Sequence, residues 1–278
     1  MIKDITSFTT GSARIAFKGG PTFYAWIGFL GIVCLWGLAA WWNQFQHGLI
    51  TTNMRDQVSW AFYIGNFTFL VGVAAAAVML VIPAYIYNWK PIKEIAIFGE
   101  LLAVSAIVMS MLFVFVDVGR PDRVWQLMPI IGTPNLPSSL LGWDVMVLNG
   151  YLVLNLIIVV HLLYTGFHKR PYNRKFVVPL LLFSIPAAVG IHTVTAFVYA
   201  GTAARPFWNS AILAPRFLAS AFCSGPAILL ILFQILQRTT HIKIKDEAIW
   251  KIAELMAYAM FLNLFLFGAE IFREYYSN

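Results

Sequence analysis

Seven long apolar runs constrain this sequence more than any other feature, because each is long enough for a helix to cross a bilayer. Backbone polar groups in the hydrocarbon must be satisfied within the segment itself, which predicts helices. Hydrophobic residues make up 60% of the chain and charged residues 11%, a balance that excludes an ordinary water-soluble domain. The sequence therefore predicts an all-α polytopic transmembrane helical bundle, with spans at about 22–42, 59–87, 92–116, 142–167, 177–200, 211–236 and 249–271.

The basic residues are unevenly distributed among the predicted loops. If successive loops alternate between the two sides, most of the 19 lysines and arginines fall on the side of the N-terminus. By the positive-inside rule that side is cytoplasmic, which places the C-terminus outside the cell membrane. We expect residues 1–21 to form a cytoplasmic N-terminal segment and residues 22–278 to form a single transmembrane helical domain. The net charge of +7 then reflects loop orientation and does not indicate nucleic-acid binding.

Residues 117–125, between the third and fourth spans, concentrate charge in a chain that has little of it. Gly119 and Pro121 predict that the third span ends here. Asp117 and Arg120 are three residues apart and would pair if the last turn is still helical. Two interpretations stay open at this point: an ordinary ion-paired turn at the end of a membrane helix, or part of a functional site.

Polar side chains inside the predicted spans are the strongest functional candidates, because each costs free energy in hydrocarbon unless it is paired or used. At about 1.5 Å of rise per residue, most of them lie toward the outer face, where they could surround the polar head of an amphiphilic ligand. Glu100 lies deeper, on the inner half of the third span, where a carboxyl must be protonated, paired or part of a proton route. The candidates for catalysis are Glu100, His192 and Asp117, and those for cofactor binding are Asn66, His192, Asp144 and Tyr63.

Most of these candidates also have an ordinary structural explanation. Asn66 could hold two helices together, and His192 could be a packed histidine with satisfied hydrogen bonds. Asp144 opens a helix and could act as its N-terminal cap or as a partner of its dipole. Glu270, near the end of the seventh span, could pair with Arg273 three residues further on.

The sequence offers few ligands for a bound redox centre. Its two cysteines lie in apolar segments and form no C-x-x-C pair, which argues against an iron–sulfur cluster or a zinc site. A haem held by two histidines needs both at one depth, whereas His161 and His192 differ in depth by roughly 15 Å. We therefore expect no haem, no iron–sulfur cluster and no metal in this chain. A redox function would then use a diffusible lipid-soluble carrier and pass electrons to a partner.

Three stretches of the sequence resemble a known family: residues 60–75 in the second span, residues 117–125, and Arg205-Pro206-Phe207-Trp208. They resemble the NrfD/PsrC-like integral membrane subunits of polysulfide-reductase-type complexes, over about residues 56–275. Within that family the chain is most similar to DsrP-type subunits of the sulfite-reduction-associated Dsr complex, with the related Hme- and Hmc-type subunits a close second. The resemblance implies a haem-free four-helix quinone-binding bundle, menaquinone or menaquinol as the bound substrate, and a ferredoxin-like [4Fe–4S] partner subunit on the outer face. It also implies other membrane and redox subunits in the same complex.

The resemblance places Asn66 where some relatives have a histidine near the quinone head. Asparagine can hydrogen-bond a quinone carbonyl but cannot carry its proton, so His192 and Glu100 become the better candidates for proton transfer. We expect catalysis only as the quinone-reactive subunit of a complex in dissimilatory sulfur metabolism, with proton movement as a further option. Members of the family often have more spans than the seven predicted here, so we expect further spans to be lacking or to follow residue 278.

Two other functions would explain the same polar groups. An ion or solute transporter or channel could bind its substrate with them, and Pro179 and Pro186, which we expect to interrupt the fifth span, are in keeping with the broken helices of transporters. The sequence shows no convincing internal repeat, which is the other common mark of that class. A purely structural membrane anchor would need the polar groups for assembly alone.

Overall fold

The computed structural model describes residues 2–55, 57–58, 60–128, 130–202 and 205–276. The regular elements in these ranges are helices. The α-helices are α1 (Ile2–Ala16), α2 (Pro21–His47), α3 (Phe62–Ala74), α4 (Ala76–Val81), α5 (Lys90–Lys93), α6 (Ala96–Asp117), α7 (Leu140–Phe167), α8 (Arg174–Ala200), α9 (Leu213–Thr239) and α10 (Asp246–Tyr276). A π turn at Ile82–Ile86 extends α4, and short 3₁₀ turns lie at Leu49–Thr52, Pro121–Leu127 and Pro206–Trp208.

Seven of these segments are long and apolar enough to cross a membrane: α2, the continuous segment Phe62–Ile86, and the five helices α6 to α10. The predicted all-α transmembrane fold is thereby confirmed, with helix ends that differ by a few residues from the predicted ones. The predicted start of the second span, Ser59, lies outside the described residues.

The second span forms the centre of the bundle. α3 packs against α6 and α9, and α4 packs against α6, α8 and α9. Small residues allow this close approach, because a Cβ atom at Gly225 of α9 would lie only 2.8 Å from the backbone nitrogen of Ala76. A Cβ atom at Gly72 would lie 3.0 Å from Oγ of Ser224. Tight contact between backbones is how membrane helices gain packing energy when burial from water contributes little.

Two helices lie at the edge of this bundle. α10 packs along α9, whereas α2 meets the rest of the described chain chiefly near its C-terminal end. The N-terminal helix α1 lies against the end of α7, where the ring of Phe8 is 5.5 Å from that of Tyr164. Asp4 and Arg170 add an exposed ion pair at 3.7 Å, so the N-terminal segment is a helix attached to the bundle.

Helix α8 corrects one expectation from the sequence. Pro179 and Pro186 both lie inside α8, which is continuous from Arg174 to Ala200, so the predicted interruption of the fifth span is wrong. A proline removes a single backbone donor, and neighbouring helices hold the remaining turns in place. The feature that was in keeping with a transporter is therefore missing from this helix.

Candidate functional site

A cavity of about 430 Å³ lies between α3, α8, α9 and α10, and we name it the His192 cavity. Its walls combine aromatic rings with a small set of polar groups. The polar residues that line it are Thr68, His192, Tyr199, Arg216, Ser220, Ser224 and Glu270. Cavities of this size with a few converging polar groups are typical of sites for organic ligands.

His192 lines this cavity with a buried imidazole ring. The side chain is buried, with 2% of its surface exposed, and its Nδ1 lies 2.6 Å from the backbone oxygen of Ala188. A carbonyl oxygen only accepts hydrogen bonds, so Nδ1 carries the hydrogen and donates it. The other nitrogen, Nε2, has no hydrogen-bonding partner among the described residues. In the neutral ring this nitrogen is an acceptor.

Glu270 and Arg216 form a buried ion pair across α10 and α9. The predicted pairing of Glu270 with Arg273 is therefore wrong, since Arg273 instead donates to the backbone oxygen of Asn209 at 3.1 Å. Packing of α10 along α9 turns Glu270 toward α9, which a spacing argument within one helix does not consider. Arg216 bonds Oε2 of Glu270, whereas Oε1 is buried without a partner in the described structure.

Tyr199 joins the cavity to an aromatic cluster. Its hydroxyl is hydrogen-bonded to the hydroxyl of Thr68 on α3. Its ring packs edge-to-face against those of Trp60, Trp208 and Phe217, with centroids 5.4, 5.2 and 5.5 Å away. Trp208 comes from the Arg-Pro-Phe-Trp motif, so this motif helps to wall the cavity. Arg205 of the same motif donates to the backbone oxygen of Gln57 at 2.8 Å, which links two loops beside the cluster.

Asp144 lies elsewhere in the bundle. It is buried on α7 and accepts a hydrogen bond of 2.6 Å from the hydroxyl of Thr195 on α8. The cap of α7 is Ser139, whose hydroxyl accepts from the backbone of Gly142, so the capping role considered for Asp144 is wrong. Asp144 lines a second, mainly apolar cavity of about 330 Å³ between α6, α7 and the turn Pro121–Leu127.

Asn66 and Tyr63 also stand apart from His192. The amide of Asn66 donates to the backbone oxygen of Phe62 at 2.8 Å, and Asn66 is not among the described residues that line the His192 cavity. Tyr63 lines a third cavity, of about 580 Å³, beside the C-terminal end of α2. There its hydroxyl donates to Oε1 of Gln44 at 2.8 Å, and Nε2 of Gln44 donates to the backbone oxygen of Val116 at 2.6 Å.

Glu100 and Asp117 lie at the two ends of α6. Glu100 is buried with 1% of its surface exposed, and both of its carboxyl oxygens lack partners among the described residues. Asp117 is the last residue of α6, and its Oδ1 is likewise unpaired within the described chain. The predicted pair of Asp117 with Arg120 is wrong, because α6 ends before Arg120 and its guanidinium instead bonds both oxygens of Asp122, at 2.9 and 2.8 Å. This hydrogen-bonded guanidinium lowers the pKa of the Asp122 carboxyl.

Among the candidates selected from the sequence, the structure therefore places only His192 in the cavity with several converging polar groups. It adds six polar residues that the sequence analysis did not select, among them Thr68, Tyr199, Arg216 and Glu270. Thr68 and Tyr199 are ordinary residues in apolar runs, and nothing in the sequence distinguishes them. Arg216 and Glu270 carried a usable signal, since two opposite charges in neighbouring spans are costly unless they meet. Among the described residues, no group of three histidine, cysteine, aspartate or glutamate side chains is arranged to hold a metal ion.

The fold and the cavity define the chain as a polytopic helical membrane protein with a ligand-sized cavity, lined by aromatic and polar groups, between its spans. It belongs to the polysulphide reductase NrfD family, whose sequence model matches residues 50–277. The match begins after α2, so that helix lies outside the matched region.

Three curated relatives extend this result. A Halobacterium salinarum protein, provisionally named as a membrane component of a dimethyl sulfoxide reductase, is 28% identical over 94% of this chain and 63% of its own length. A component of the selenate reductase of Mesobacillus selenatarsenatis is 22% identical over 89% of this chain and 64% of its own length. The Hdr-like menaquinol oxidoreductase integral membrane subunit of Archaeoglobus fulgidus is 22% identical over 89% of this chain and 60% of its own length. The chain thus spans somewhat less than two thirds of the length of these relatives.

Proposed function

We propose that this chain is the quinone-reactive membrane subunit of a respiratory redox complex, with menaquinone or menaquinol as its bound substrate. The observation that carries the proposal is the His192 cavity, where the imidazole of His192 and the Arg216–Glu270 ion pair line one ligand-sized space between the spans. Polar side chains between membrane spans cost free energy unless they are paired or used, so several of them around one cavity favour a ligand with a polar group.

The chemistry of the walls suits a quinone head group. Phe69, Trp208 and Phe217 offer apolar and aromatic surface to a flat bicyclic ring. The polar groups lie on α3, α8 and the facing helices α9 and α10, so different helices can bond the two ring oxygens. A ligand held between spans can keep its isoprenoid tail in the bilayer, which is the arrangement that a lipid-soluble carrier needs.

The relatives support the same assignment. One of them is named as a menaquinol oxidoreductase subunit, and the others as parts of reductases named for dimethyl sulfoxide and selenate.

Oxidation of a quinol releases two electrons and two protons, and reduction of a quinone consumes them. We assign the electrons to a [4Fe–4S] partner subunit on the outer face, because the sequence contains no ligand set for a redox centre of its own. The exposed Arg123 is one cation available to an acidic partner surface.

We assign the protons to buried titratable side chains. His192 is the first proton carrier, because it lies at the cavity and its free nitrogen can accept a proton. Glu100 and Asp117 are proposed for later steps of proton movement. Asp144 and Tyr63 are proposed for further contacts with quinone in the cavities that they line, and Asn66 for a quinone contact on the basis of the resemblance alone. The proposal also keeps the N-terminus in the cytoplasm, the C-terminus outside and the chain in the cell membrane.

The sulfur-specific part of the proposal has a separate basis. Its support is the likeness of residues 60–75, 117–125 and 205–208 to DsrP-type subunits, which would place the chain in dissimilatory sulfur metabolism. Two of the relatives are named for reductases of other terminal acceptors, dimethyl sulfoxide and selenate. The quinone assignment does not depend on which acceptor the complex uses.

A binding experiment tests the quinone assignment. The purified chain would be titrated with a fluorescent menaquinone-analogue inhibitor, and quenching of the inhibitor would be followed to saturation. His192→Ala should weaken binding about tenfold, because it removes a polar partner from the cavity. Asn66→Leu tests the role assigned by resemblance. His168→Ala is the matched control, since His168 lies at the end of α7 outside the cavity. Failure of the folded wild-type protein to quench the inhibitor saturably would refute the quinone assignment.

A further inference from the structure

We infer that a groove between α1, α7 and α8 binds an anionic phospholipid. One hydrocarbon tail of the lipid would lie along α7, and its phosphate head group would lie against the basic residues that join α7 to α8. The inference does not rest on the quinone assignment, because it concerns a different part of the molecule. Its basis is an apolar groove that ends at a cluster of positive charge.

The groove, which we name the α7 groove, has a volume of about 620 Å³. Its residues on α7 extend from Leu156 to Tyr164, about 12 Å along the helix axis. One leaflet of a bilayer has a hydrocarbon depth of about 15 Å, so the groove can hold most of one lipid tail. The apolar side chains that line it are Ile5 of α1, Leu156, Ile157 and Val160 of α7, and Phe176 of α8.

Helix α1 forms one wall of the groove and is not itself a span. The ring of Phe8 packs 5.5 Å from that of Tyr164 and 5.7 Å from that of Phe167. A Cβ atom at Gly11 would overlap the ring of Phe167, so glycine allows this close approach. Ser7 and other hydroxyl residues of α1 are exposed. An apolar side against the bundle and a polar side away from it are typical of a helix at the membrane surface.

Positive charge collects at the end of the groove, where the chain passes from α7 to α8. Residues 168–175 contain two lysines, two arginines and no acidic residue. Arg170 forms its ion pair with Asp4 of α1, at 3.7 Å. The other three cations are exposed and belong to no ion pair among the described residues: Lys169, Arg174 and Lys175. Basic residues immediately beyond a membrane span attract anionic lipid head groups.

A hydrogen bond joins this basic connection to the groove. The backbone N–H of Asn173 donates to Nε2 of His161 at 3.4 Å, and His161 lines the groove. Because Nε2 accepts, the ring carries its hydrogen on Nδ1, for which the described residues offer no acceptor. The side chain of Asn173 caps α8 by accepting from the backbone of Lys175 at 3.1 Å. A phosphate or ester oxygen at this end of the groove would therefore meet both fixed positive charge and a neutral donor.

These features favour a phospholipid over a protein occupant. The groove lies along the second half of an apolar span, where a polypeptide segment would need partners for its backbone polar groups. A lipid tail has no such groups, and its head group carries the negative charge that the basic connection lacks. Each basic residue near an anionic membrane surface strengthens binding about fivefold at low salt. We therefore expect an anionic lipid to bind at least about tenfold more tightly than a zwitterionic lipid with the same tails.

The test measures lipid binding to the full chain by native mass spectrometry. Dioleoyl phosphatidylglycerol and dioleoyl phosphatidylcholine would be titrated separately, since they share their tails and differ in net charge. The measured quantity is the ratio of their dissociation constants for the first bound lipid. A cation variant that combines Lys169→Gln, Arg174→Gln and Lys175→Gln should bring this ratio to within about threefold of one. A control variant with the same loss of charge replaces three exposed cations outside the groove by glutamine: Lys90, Arg238 and Lys243.

A second pair of variants tests the place of the tail. Val160→Trp puts a large side chain into the groove and should weaken binding of both lipids at least about tenfold. Val153→Trp is the matched control, because Val153 lies two turns earlier on the same face of α7, is similarly exposed and does not line the groove. We expect it to keep the wild-type dissociation constants. Both valines are about half exposed, so neither change disturbs the packed interior of the bundle.

The outcomes decide between the lipid and its alternatives. Equal binding of the two lipids by the wild-type chain would overturn the inference. So would a preference that survives the cation variant, or one that the control variant loses to the same extent, because net charge alone would then explain it. Unchanged binding by Val160→Trp would show that the tail lies elsewhere. A wild-type dimer that binds no phosphatidylglycerol and that Val160→Trp dissociates would place a second copy of the chain in the groove instead.

Discussion

The ion pair between Arg216 and Glu270 provides the sharpest structural prediction. We consider Arg216→Met, which keeps an unbranched side chain of similar reach and removes the charge. The change leaves the Glu270 carboxylate buried without its partner. Removing one partner of a buried pair costs about 3–5 kcal/mol, because an uncompensated charge remains in a low-dielectric site.

The exposure of the two side chains decides which loss of stability we expect within the range of about 3–5 kcal/mol. Glu270 is 1% exposed, whereas the Arg216 side chain is 26% exposed, so part of the pair is already screened. We therefore expect a loss of about 3 kcal/mol for Arg216→Met. Adding Glu270→Gln should recover part of this loss, because a neutral amide replaces the unpaired charge. The two changes should then be non-additive by about 2 kcal/mol.

Unfolding of the purified protein by sodium dodecyl sulfate in mixed micelles, followed by circular dichroism, measures these free energies. Arg238→Met is the matched control, since Arg238 is an exposed arginine at the C-terminal end of the same helix. A cost below about 1 kcal/mol for Arg216→Met, as for an exposed pair, would refute the reasoning. Strict additivity with Glu270→Gln would refute it too.

Three further changes test other contacts. Gly225→Ala should destabilise the bundle by about 1–3 kcal/mol, because the added Cβ would overlap the backbone of α4, and a change within about 0.5 kcal/mol in the same detergent titration would contradict this. Thr195→Val removes the hydroxyl that donates to Asp144 and should lower the free energy of unfolding by about 1–3 kcal/mol. If the double variant with Asp144→Asn loses the sum of the two single losses, the result would argue against the contact. Because Arg120 lowers the pKa of Asp122 in the folded chain, any stability from this pair is present above the unfolded-state pKa and is lost as pH falls through the folded-state pKa. The stability difference between wild type and Asp122→Asn should therefore be constant near neutral pH and shrink in acid, and a difference that grows in acid would contradict the sign.

The spans were predictable from the sequence because they follow from length and hydropathy alone. A membrane helix needs an apolar run of a known minimum length, and each of the seven runs meets it. The end of α6 at Asp117 was predictable for a similar reason, because Gly119 and Pro121 act locally. The attachment of α1 to α7 was not predicted, since it depends on Phe8 meeting an aromatic pair more than 150 residues further along the chain.

The site was harder to predict because it depends on which way each helix faces. Sequence position gives the depth of a residue in the membrane but not its rotation about the bundle. His192 and Asn66 were assigned to one head group from depth, and the structure shows Asn66 bonded to its own helix and away from the cavity that His192 lines. Glu270 was matched with Arg273 for the same reason, since a partner three residues away is visible in sequence and a partner on α9 is not.

Helix α8 shows the limit of local rules in a membrane. Two prolines in one run predict a break in water, where a lost hydrogen bond can be replaced by solvent. Here both prolines lie inside a continuous helix that packs along α7 and α9. Packing and the remaining backbone bonds outweigh the loss at each proline. The rule that proline breaks a helix correctly identifies where backbone hydrogen bonds are lost, but it overestimates how far that loss disrupts a helix packed in a membrane bundle.

The measurement that tests the central claim most directly is photolabelling with an azido-naphthoquinone, followed by mass spectrometry of the labelled peptides. The three cavities are lined by different segments, so the label reports which one binds the head group. We expect labelling at residues 65–72 of α3, 192–199 of α8 and 213–224 of α9, reduced by excess unlabelled hydroquinone. Competed labelling confined to residues 108–152 or to residues 37–63 would contradict the account, because it would place the quinone site away from His192.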